Sequence, residues 1–301
     1  MKDERLVLRR AANRIPFIVH RSSFIVPTPV FLILHFAFCI LNSSAAERSL
    51  SDCTNCLCAR HEAVQSVVAR LRLTLHNVKK KQDFTLNGAC LGDAAGNLRL
   101  RVTTDGGQLV LDMSARGDAV EICLPDKELF ITGSRQDLLN HPRGHLTLLA
   151  HCGGARDLFF PTAPCPAPFT RIDSCRIDDR AYFNLRETPQ FLARYTRRTV
   201  LDLSRSVVEQ TRLFTRIGAD AGRIVYSDYH FPQSSATDAK PAWPGRIALH
   251  TPGGDYVLDM DVEDLSVNTP LPLAKFTTAV PDGYQREGLA EALKRNVNIW
   301  E

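Results

Sequence analysis

The first clear pattern in the chain is a run of apolar residues at spacings of three and four between positions 58 and 78. These apolar positions are Ala63, Val64, Val67, Val68, Leu71, Leu75 and Val78. A period of 3.6 residues predicts one amphipathic helix over residues 58–78. The run Lys79-Lys80-Lys81 follows, and we expect it to be the exposed C-terminus of that helix, where the helix dipole favours basic side chains.

From Asp83 onward the apolar residues alternate with polar ones, and turn residues recur at short intervals. The predicted strands are 84–91, 98–104, 108–115 and 119–124. Because Gly, Asp and Asn separate these strands, we expect consecutive antiparallel hairpins. The alternation puts six apolar side chains on one face of the sheet: Leu98, Leu100, Val102, Leu109, Leu111 and Met113. Arg99 and Arg101 point to the other face.

The rest of the chain combines short helical segments with further strands. We predict helical segments at 136–140 and 144–151, and an irregular stretch at 159–168, where proline is too dense for a helix or a central strand. The later predicted strands are 182–185, 196–203, 207–215, 223–231, 246–250 and 256–267. Strands in both halves predict a mainly β fold with a single domain at 47–301, built on one antiparallel sheet crossed by helices.

Composition and charge add information about where the protein acts. Apolar residues make up 44% of the chain and charged residues 23%, as in soluble globular proteins, which excludes wholesale disorder. Residues 1–46 contain six basic and two acidic side chains and so account for the whole net charge of +4. Since the body beyond them is formally neutral, we predict no nucleic-acid partner.

The same N-terminal residues have the layout of an export signal. The basic region precedes an apolar run at 30–41, and Ser44 and Ala46 then occupy the two small-residue positions before a cleavage site. A retained membrane anchor is the alternative, although Pro27, Pro29 and His35 interrupt the apolar stretch. We therefore predict a signal peptide or N-terminal membrane anchor at 1–46 and a protein exported to the periplasm or cell envelope.

Eight cysteines remain in the body once Cys39 is counted with the leader. They are Cys53, Cys56, Cys58, Cys90, Cys123, Cys152, Cys165 and Cys175. An even number of cysteines in an exported chain predicts disulfides, with inert thiols as the alternative. The first three, with His61 close by, could form half of a zinc shell, but no second Cys-x-x-Cys completes it.

Other groups with metal-ligand or catalytic chemistry have simpler structural interpretations. Two sets of potential ligands are His141, His145 and His151, and Asp259, Asp261 and Glu263. We interpret the first set as polar residues flanking a short helix and the second as the solvated face of a strand. No nucleophile elbow, P-loop or dinucleotide-binding motif is present. The sequence therefore predicts no catalytic residue, no metal site, no cofactor and no enzymatic activity.

The C-terminal half contains a series of phrases with a family pattern. They are Thr199-Val-Leu-Asp-Leu-Ser204, Val208-Glu-Gln-Thr-Arg-Leu-Phe214, Gly222-Arg-Ile-Val-Tyr-Ser-Asp-Tyr229, Pro244-Gly-Arg-Ile-Ala-Leu249, Leu265-Ser-Val-Asn268, Pro272-Leu-Ala-Lys-Phe276 and Val280-Pro-Asp-Gly283. Together with the strand order, these phrases resemble the periplasmic lipoprotein-carrier superfamily, the LolA/LolB-like proteins.

That resemblance implies an incomplete antiparallel β-barrel of the LolA-like type, with an N-terminal helix and a helical lid. Its apolar interior would receive the acyl chains of lipids or lipoproteins. The six apolar side chains named above, from Leu98 to Met113, would line the cavity. Leu146, Leu148 and Leu149 would belong to the lid, and Arg99 or Arg101 would hold it closed.

Two functional hypotheses follow from these observations. The first is a cell-envelope lipid- or lipoprotein-binding protein, of the outer-membrane lipoprotein-sorting type, that sequesters acyl chains in an apolar cavity. We expect lipid or lipoprotein acyl chains as its partner, because each buried methylene contributes about 0.8 kcal/mol to binding. The second is a non-catalytic structural or regulatory module of the envelope that binds a protein partner.

Overall fold

The fold is known from a computed structural model that describes residues 49–140, 149, 153–162, 170–177, 180–187, 195–215, 217–231 and 241–295. At 140, 170–177, 180–187 and 195 the description covers the backbone alone. All of these residues belong to the unit Arg48–Glu301. The predictions for residues 1–46, and those that concern Leu146, Leu148 and the three histidines at 141, 145 and 151, lie outside the described residues.

Strands dominate the described residues, and short helices punctuate them. The strands are β1 (Ser66–Asn77), β2 (Gln82–Asp93), β3 (Leu98–Thr103), β4 (Leu109–Arg116), β5 (Ala119–Leu124), β6 (Leu129–Ser134), β7 (Thr170–Ile177), β8 (Arg180–Glu187), β9 (Tyr195–Asp202), β10 (Val207–Thr215), β11 (Asp220–Ser227), β12 (Arg246–His250), β13 (Tyr256–Val267) and β14 (Gln285–Gly288). The α-helices are α1 (Leu50–Glu62), α2 (Arg135–Asn140), α3 (Ala155–Phe159) and α4 (Leu289–Lys294).

All described strands join one open sheet. Their order is β14-β6-β5-β4-β3-β2-β1-β13-β12-β11-β10-β9-β8-β7, so β14 and β7 are its edges. Every neighbouring pair is antiparallel except β14 and β6, which run parallel. The prediction of a mainly β, incomplete antiparallel barrel with an N-terminal helix is confirmed.

The predicted helix at 58–78 is wrong in its position. The helix α1 ends at Glu62, and residues 66–77 form the strand β1. The burial of Val67, Ala69, Leu71, Leu73 and Leu75 has a period of two, whereas the helix prediction left out two of these residues. Strand β1 has a full-length partner on each side, β2 and β13, and this pairing outweighs the local helical spacing.

The error also changes the interpretation of the lysine run. Lys79, Lys80 and Lys81 form the turn of the hairpin between β1 and β2, and Lys81 has a positive φ of 53°. The true N-terminal helix begins with a capping box, in which the side chains of Ser49 and Asp52 satisfy each other's backbone N–H groups. We missed this start signal because it precedes the apolar spacing we followed.

The predicted hairpins of the first half are confirmed as β2 to β5. In the second half, β10, β12 and β13 have the predicted bounds, while β9 differs from its prediction by one residue at each end, β8 by two, and β11 by three and four. The strands β6, β7 and β14 and the helices α3 and α4 were missed. For β14 the reason is plain, because its four residues have no apolar alternation and become a strand only by pairing with β6.

One face of the sheet, called here the inner face, carries the core. Cross-strand partners from β1 to β6 form a continuous apolar row: Ala69, Cys90, Leu100, Met113, Ile122 and Ile131. Helix α3 packs closely on this face, because a Cβ at Gly92 would overlap that of Ala155. Helix α4 packs on the same face near the β14 edge of the sheet, where its Leu289 lies against Gly133 of β6.

The opposite, outer face is covered over β3 to β5 by the C-terminal strap, defined as residues 268–284. Phe276 of the strap is buried, and Thr278 donates from Oγ1 to Ser114 Oγ at 3.0 Å and from its backbone N–H to Glu121 Oε2 at 3.2 Å. Strand β4 is therefore buried on both faces, with Asp112 and Ser114 as buried polar residues.

Candidate functional site

A narrow crevice lies between the inner face and the short helices that cover it. Its apolar walls are Leu98, Met113, Ala115, Val120, Leu138 and Leu149, and it is completed by Arg135 and Gly154. The free space amounts to about 20 Å³. That is room for about one water molecule, so an acyl chain does not fit unless the covering residues move.

Arg135, the first residue of α2, ties the covering elements to the sheet. Its guanidinium donates from Nη1 to Gly153 O at 2.6 Å and from Nη2 to Gly96 O at 2.9 Å. Gly96 lies in the β2–β3 turn, while Gly153 lies just before α3. A single side chain therefore fastens α2 both to the sheet and to the segment leading into α3.

A second contact joins the helices to each other. His61 Nε2 lies 2.5 Å from Asp157 Oδ1, which connects the last turn of α1 with α3. At the start of α2, the Asp137 carboxylate accepts from the backbone N–H and the hydroxyl of Ser134, both at 2.8 Å. These contacts fix the ends of the short helices, whose apolar faces alone bury few residues.

Five of the six predicted cavity-lining residues are on the inner face, but they are not all at the crevice. The sixth, Leu109, lies beyond a β-bulge and pairs with Thr103, which is on the outer face. Leu98 and Met113 line it. Leu100, Val102 and Leu111 are buried in the core around it, and Leu109 is half-buried at the start of β4. Of the predicted lid residues the structure describes Leu149, which is buried and lines the crevice.

The two arginines predicted to hold the lid have other described contacts. Arg99 donates to both carboxylate oxygens of Asp112, at 2.9 and 2.7 Å, and to Lys275 O in the strap at 3.1 Å. Arg101 approaches Asp112 at 3.5 Å. Both lie on the outer face, where they fasten the strap side of the sheet. Among the described contacts, Arg135 rather than Arg99 or Arg101 joins a helix that covers the inner face to the sheet.

A smaller crevice of about 10 Å³ lies beside α1. Its walls are Leu57, Arg60, Phe160, Pro161, Val207, Tyr229 and Ala242. Arg60 donates to Ser206 O at 2.7 Å and Tyr229 donates from its hydroxyl to Val208 O at 2.5 Å. Burial raises the pKa of Tyr229, so this phenol stays protonated and donates at every physiological pH.

Sequence reasoning missed Arg60, Arg135, Leu138 and Tyr229. The sequence did contain a signal for Arg135 and Leu138. Ser134 followed three residues later by Asp137 is a helix-start pattern, and it places the start of the helix one residue before the predicted start. No local signal identifies Arg60 or Tyr229, because their partners come from distant parts of the chain.

Four of the described cysteines give no support to a reactive or metal-binding site. Cys53, Cys56, Cys90 and Cys123 are thiols. Burial raises the pKa of Cys90 to about 12, and burial with the nearby Asp112 carboxylate raises the pKa of Cys123. Neither is therefore a thiolate at neutral pH. In the described part of the chain, no three His, Cys, Asp or Glu residues are grouped so as to hold a metal ion.

The interpretation of Asp259 as a solvated residue is wrong. Asp259 is only 7% exposed and forms an ion pair with Arg246 on the outer face. His76 lies between Asp259 and Asp83, with its ring nitrogens at 3.2 and 2.8 Å from their carboxylates. Asp261 on the same strand is exposed, as predicted.

Comparison with known proteins shows similarity in fold rather than in sequence. No family model matches the chain, and no curated protein matches it. Among solved structures, an outer membrane lipoprotein-sorting protein domain from Vibrio parahaemolyticus covers 75% of this chain and 94% of its own, with 12% identity and a TM-score of 0.51. A LolA superfamily protein from Nitrosomonas europaea covers 75% and 97%, with 12% identity and a TM-score of 0.48.

The chain has the LolA-like fold. A DUF1329 family protein from Desulfovibrio piger is similar to the same extent, with 9% identity, a TM-score of 0.51 and coverage of 76% of this chain and 97% of its own. The resemblance to the LolA/LolB-like proteins is thus confirmed for the fold. Across the described residues, none of the helices of this LolA-like chain has the length and apolar character needed to span a bilayer.

Proposed function

We propose that this protein binds lipid or lipoprotein acyl chains in the cell envelope and shields them from water without catalysing a reaction. The observation that carries the proposal is the crevice between the inner face and α2, whose walls include Leu98, Met113, Leu138 and Leu149. Because each buried methylene contributes about 0.8 kcal/mol, a few acyl chains bind firmly in such a site without covalent chemistry.

Binding requires the crevice to widen, and Arg135 is the contact that opposes widening. Its two hydrogen bonds to Gly96 O and Gly153 O hold α2 over the apolar wall. Each such bond contributes about 0.5–1.5 kcal/mol, so the two together cost at most about 3 kcal/mol, which burial of about four methylenes offsets. We infer that Arg135 holds the cover closed when no acyl chain is bound.

The test uses the full chain, extracted gently and analysed by mass spectrometry for co-purified lipid, then titrated with a fluorescent fatty acid. Leu138→Trp fills the crevice and is expected to lower fatty-acid affinity about tenfold or more, since it removes space for several methylenes. Arg135→Gln is expected to speed uptake. Leu273→Trp is the matched control, because Leu273 is 62% exposed and lies far from the crevice on the strap.

One observation favours the second candidate, a non-catalytic structural or regulatory module with a protein partner. The two crevices described above hold only about 20 and 10 Å³, so neither has room for an acyl chain as it stands. If no lipid co-purifies, no fatty acid enters the wild-type or the Arg135→Gln protein, and one envelope protein is reproducibly captured, this second candidate replaces the first.

We also propose that the protein is exported and acts in the periplasm or envelope. Support comes from the basic and apolar leader at 1–46. Disulfides among the other four body cysteines, Cys58, Cys152, Cys165 and Cys175, remain a prediction of the same proposal. Mass spectrometry of the N-terminus and of alkylated thiols tests both statements.

A further inference from the structure

Of the six large apolar side chains exposed in the described part of the chain, three lie together at one end of the sheet, away from the α-helices. Ile217 in the β10–β11 turn is 90% exposed, Val78 in the β1–β2 turn is 53% exposed, and Phe84 at the start of β2 is 50% exposed. These are large values for apolar residues in a protein whose inner face is well packed. None of the three contributes to the candidate site.

The strand register places these turns at the same end. The β1–β2 and β12–β13 turns touch, since Val78 N–H donates to Asp255 O at 2.9 Å. The β10–β11 turn lies beside the β12–β13 turn, since Arg223 near the start of β11 pairs with His250 at the end of β12. Three adjacent hairpin turns therefore form a line across β2 to β10, about 24 Å long at the usual spacing of strands.

This line, called here the turn edge, is also basic. The turns at 78–81 and 251–255 contain Lys79, Lys80, Lys81 and a single acid, Asp255, which accepts from Lys79 Nζ at 2.7 Å. Beside the β10–β11 turn, Arg212 and Arg223 outnumber the one acid, Asp220, which accepts from Arg212. By contrast, the neighbouring turns at the same end, 104–108 and 125–128, carry three acids and one lysine. Positive charge and exposed apolar residues thus coincide along one part of the sheet end.

We propose that the turn edge docks this protein on an anionic phospholipid bilayer. The apolar residues are single side chains separated by polar ones, which is unlike the contiguous surface of about 800 Å² per partner that a stable protein interface buries. Single apolar tips flanked by lysines suit the bilayer interface, where the tips enter the headgroup level and the ammonium groups meet lipid phosphates. Docking would hold the body of the protein at the surface from which its acyl chains come.

The experiment places a tryptophan at the tip and asks whether lipid reaches it. The full-length Ile217→Trp protein is mixed with vesicles of phosphatidylethanolamine and phosphatidylglycerol that carry brominated acyl chains, which quench indole fluorescence on contact. We expect strong quenching beyond that of the unsubstituted protein, whose own tryptophans are Trp243 and Trp300. The matched control is Ala95→Trp, an exposed position in the β2–β3 turn at the opposite end. It reports any binding through the rest of the chain.

Charge is tested in the same background. Replacing Lys79, Lys80 and Lys81 together by Gln is expected to lower vesicle affinity about tenfold or more, with the same helical and strand content by circular dichroism. Equal quenching at positions 217 and 95, equal quenching on phosphatidylcholine vesicles, or no effect of the lysine changes would overturn the proposal. A concentration-dependent emission shift without lipid would assign the turn edge to a second copy of the chain instead.

Discussion

The two halves of the outer face differ in what covers them. Over β3 to β5 the strap lies on the sheet, and Asp112 and Ser114 are buried beneath it. Over β10 to β12 the corresponding positions are half-buried or exposed, as for Arg223 and Arg246. Alternation of polar and apolar residues is the same in both halves, so a polar outward position does not by itself indicate contact with water.

The same comparison explains the different uses of charge. Beneath the strap, Asp112 binds Arg99 in a bidentate pair that also positions the strap through Lys275 O. In the uncovered half, Arg198, Arg212 and Arg223 lie directly opposite one another on adjacent strands. Two of them flank the ring of Phe214, with guanidinium carbons 5.3 and 5.1 Å from its centroid. Such a row of like charges is tolerated because Arg212 donates to both carboxylate oxygens of Asp220, and because water screens the exposed charges.

The largest expected effect comes from breaking the covered half. Phe276→Ala removes a side chain that is 1% exposed between the strap and the sheet, and is expected to lower the free energy of unfolding by about 3–5 kcal/mol. Leu273→Ala, three residues earlier in the strap, should change it by less than about 0.5 kcal/mol. Urea denaturation of both variants measures the difference, and equal losses would show that the strap does not pack as described.

An intermediate effect is expected on the inner face. Gly92→Ala forces a methyl group against Ala155 Cβ of α3 and should cost about 1–3 kcal/mol, because both partners are held by backbone. Gly88→Ala on the same strand meets Leu73 Cδ1 at 3.1 Å, the end of a side chain that can move, so its cost should be smaller. A comparable melting temperature for both variants would contradict the close packing of α3 on β2.

The smallest effect concerns His250 in the uncovered half. Burial, with the positive charge of Arg223, lowers the pKa of His250 below its usual value of 6.5. The unfolded chain therefore binds this proton at higher pH than the folded protein does, so stability falls as the pH drops below about 6.5. His250→Gln should reduce that decline. Near pH 8, where His250 is neutral in both states, the change of stability with pH should be the same as in the unsubstituted protein. Denaturation midpoints across this range measure it, and an undiminished decline would exclude His250 as its source.

Much of the fold could be predicted from local patterns, and the errors have common causes. The hairpins β2 to β5 followed from alternation and turn residues, because both signals act within a few residues. Residues 66–77 contain a helical and a strand spacing at once, and only the partners β2 and β13 decide between them. For the candidate crevice, the sequence predicted residues of the sheet that form its wall. It did not identify Leu138 and Arg135, which cover the crevice.

The sequence by itself determined the strand-rich character, the apolar inner face and the basic, apolar leader, because each depends on the order of neighbouring residues. Only the tertiary structure decided that Asp259 is buried, that the strap covers β4 and that Arg135 joins the β2–β3 turn to the segment before α3. These depend on contacts between residues far apart in the chain, as with Ser114 and Thr278, and no local spacing encodes them. The same holds for the turn edge, which the register assembles from three separate hairpins.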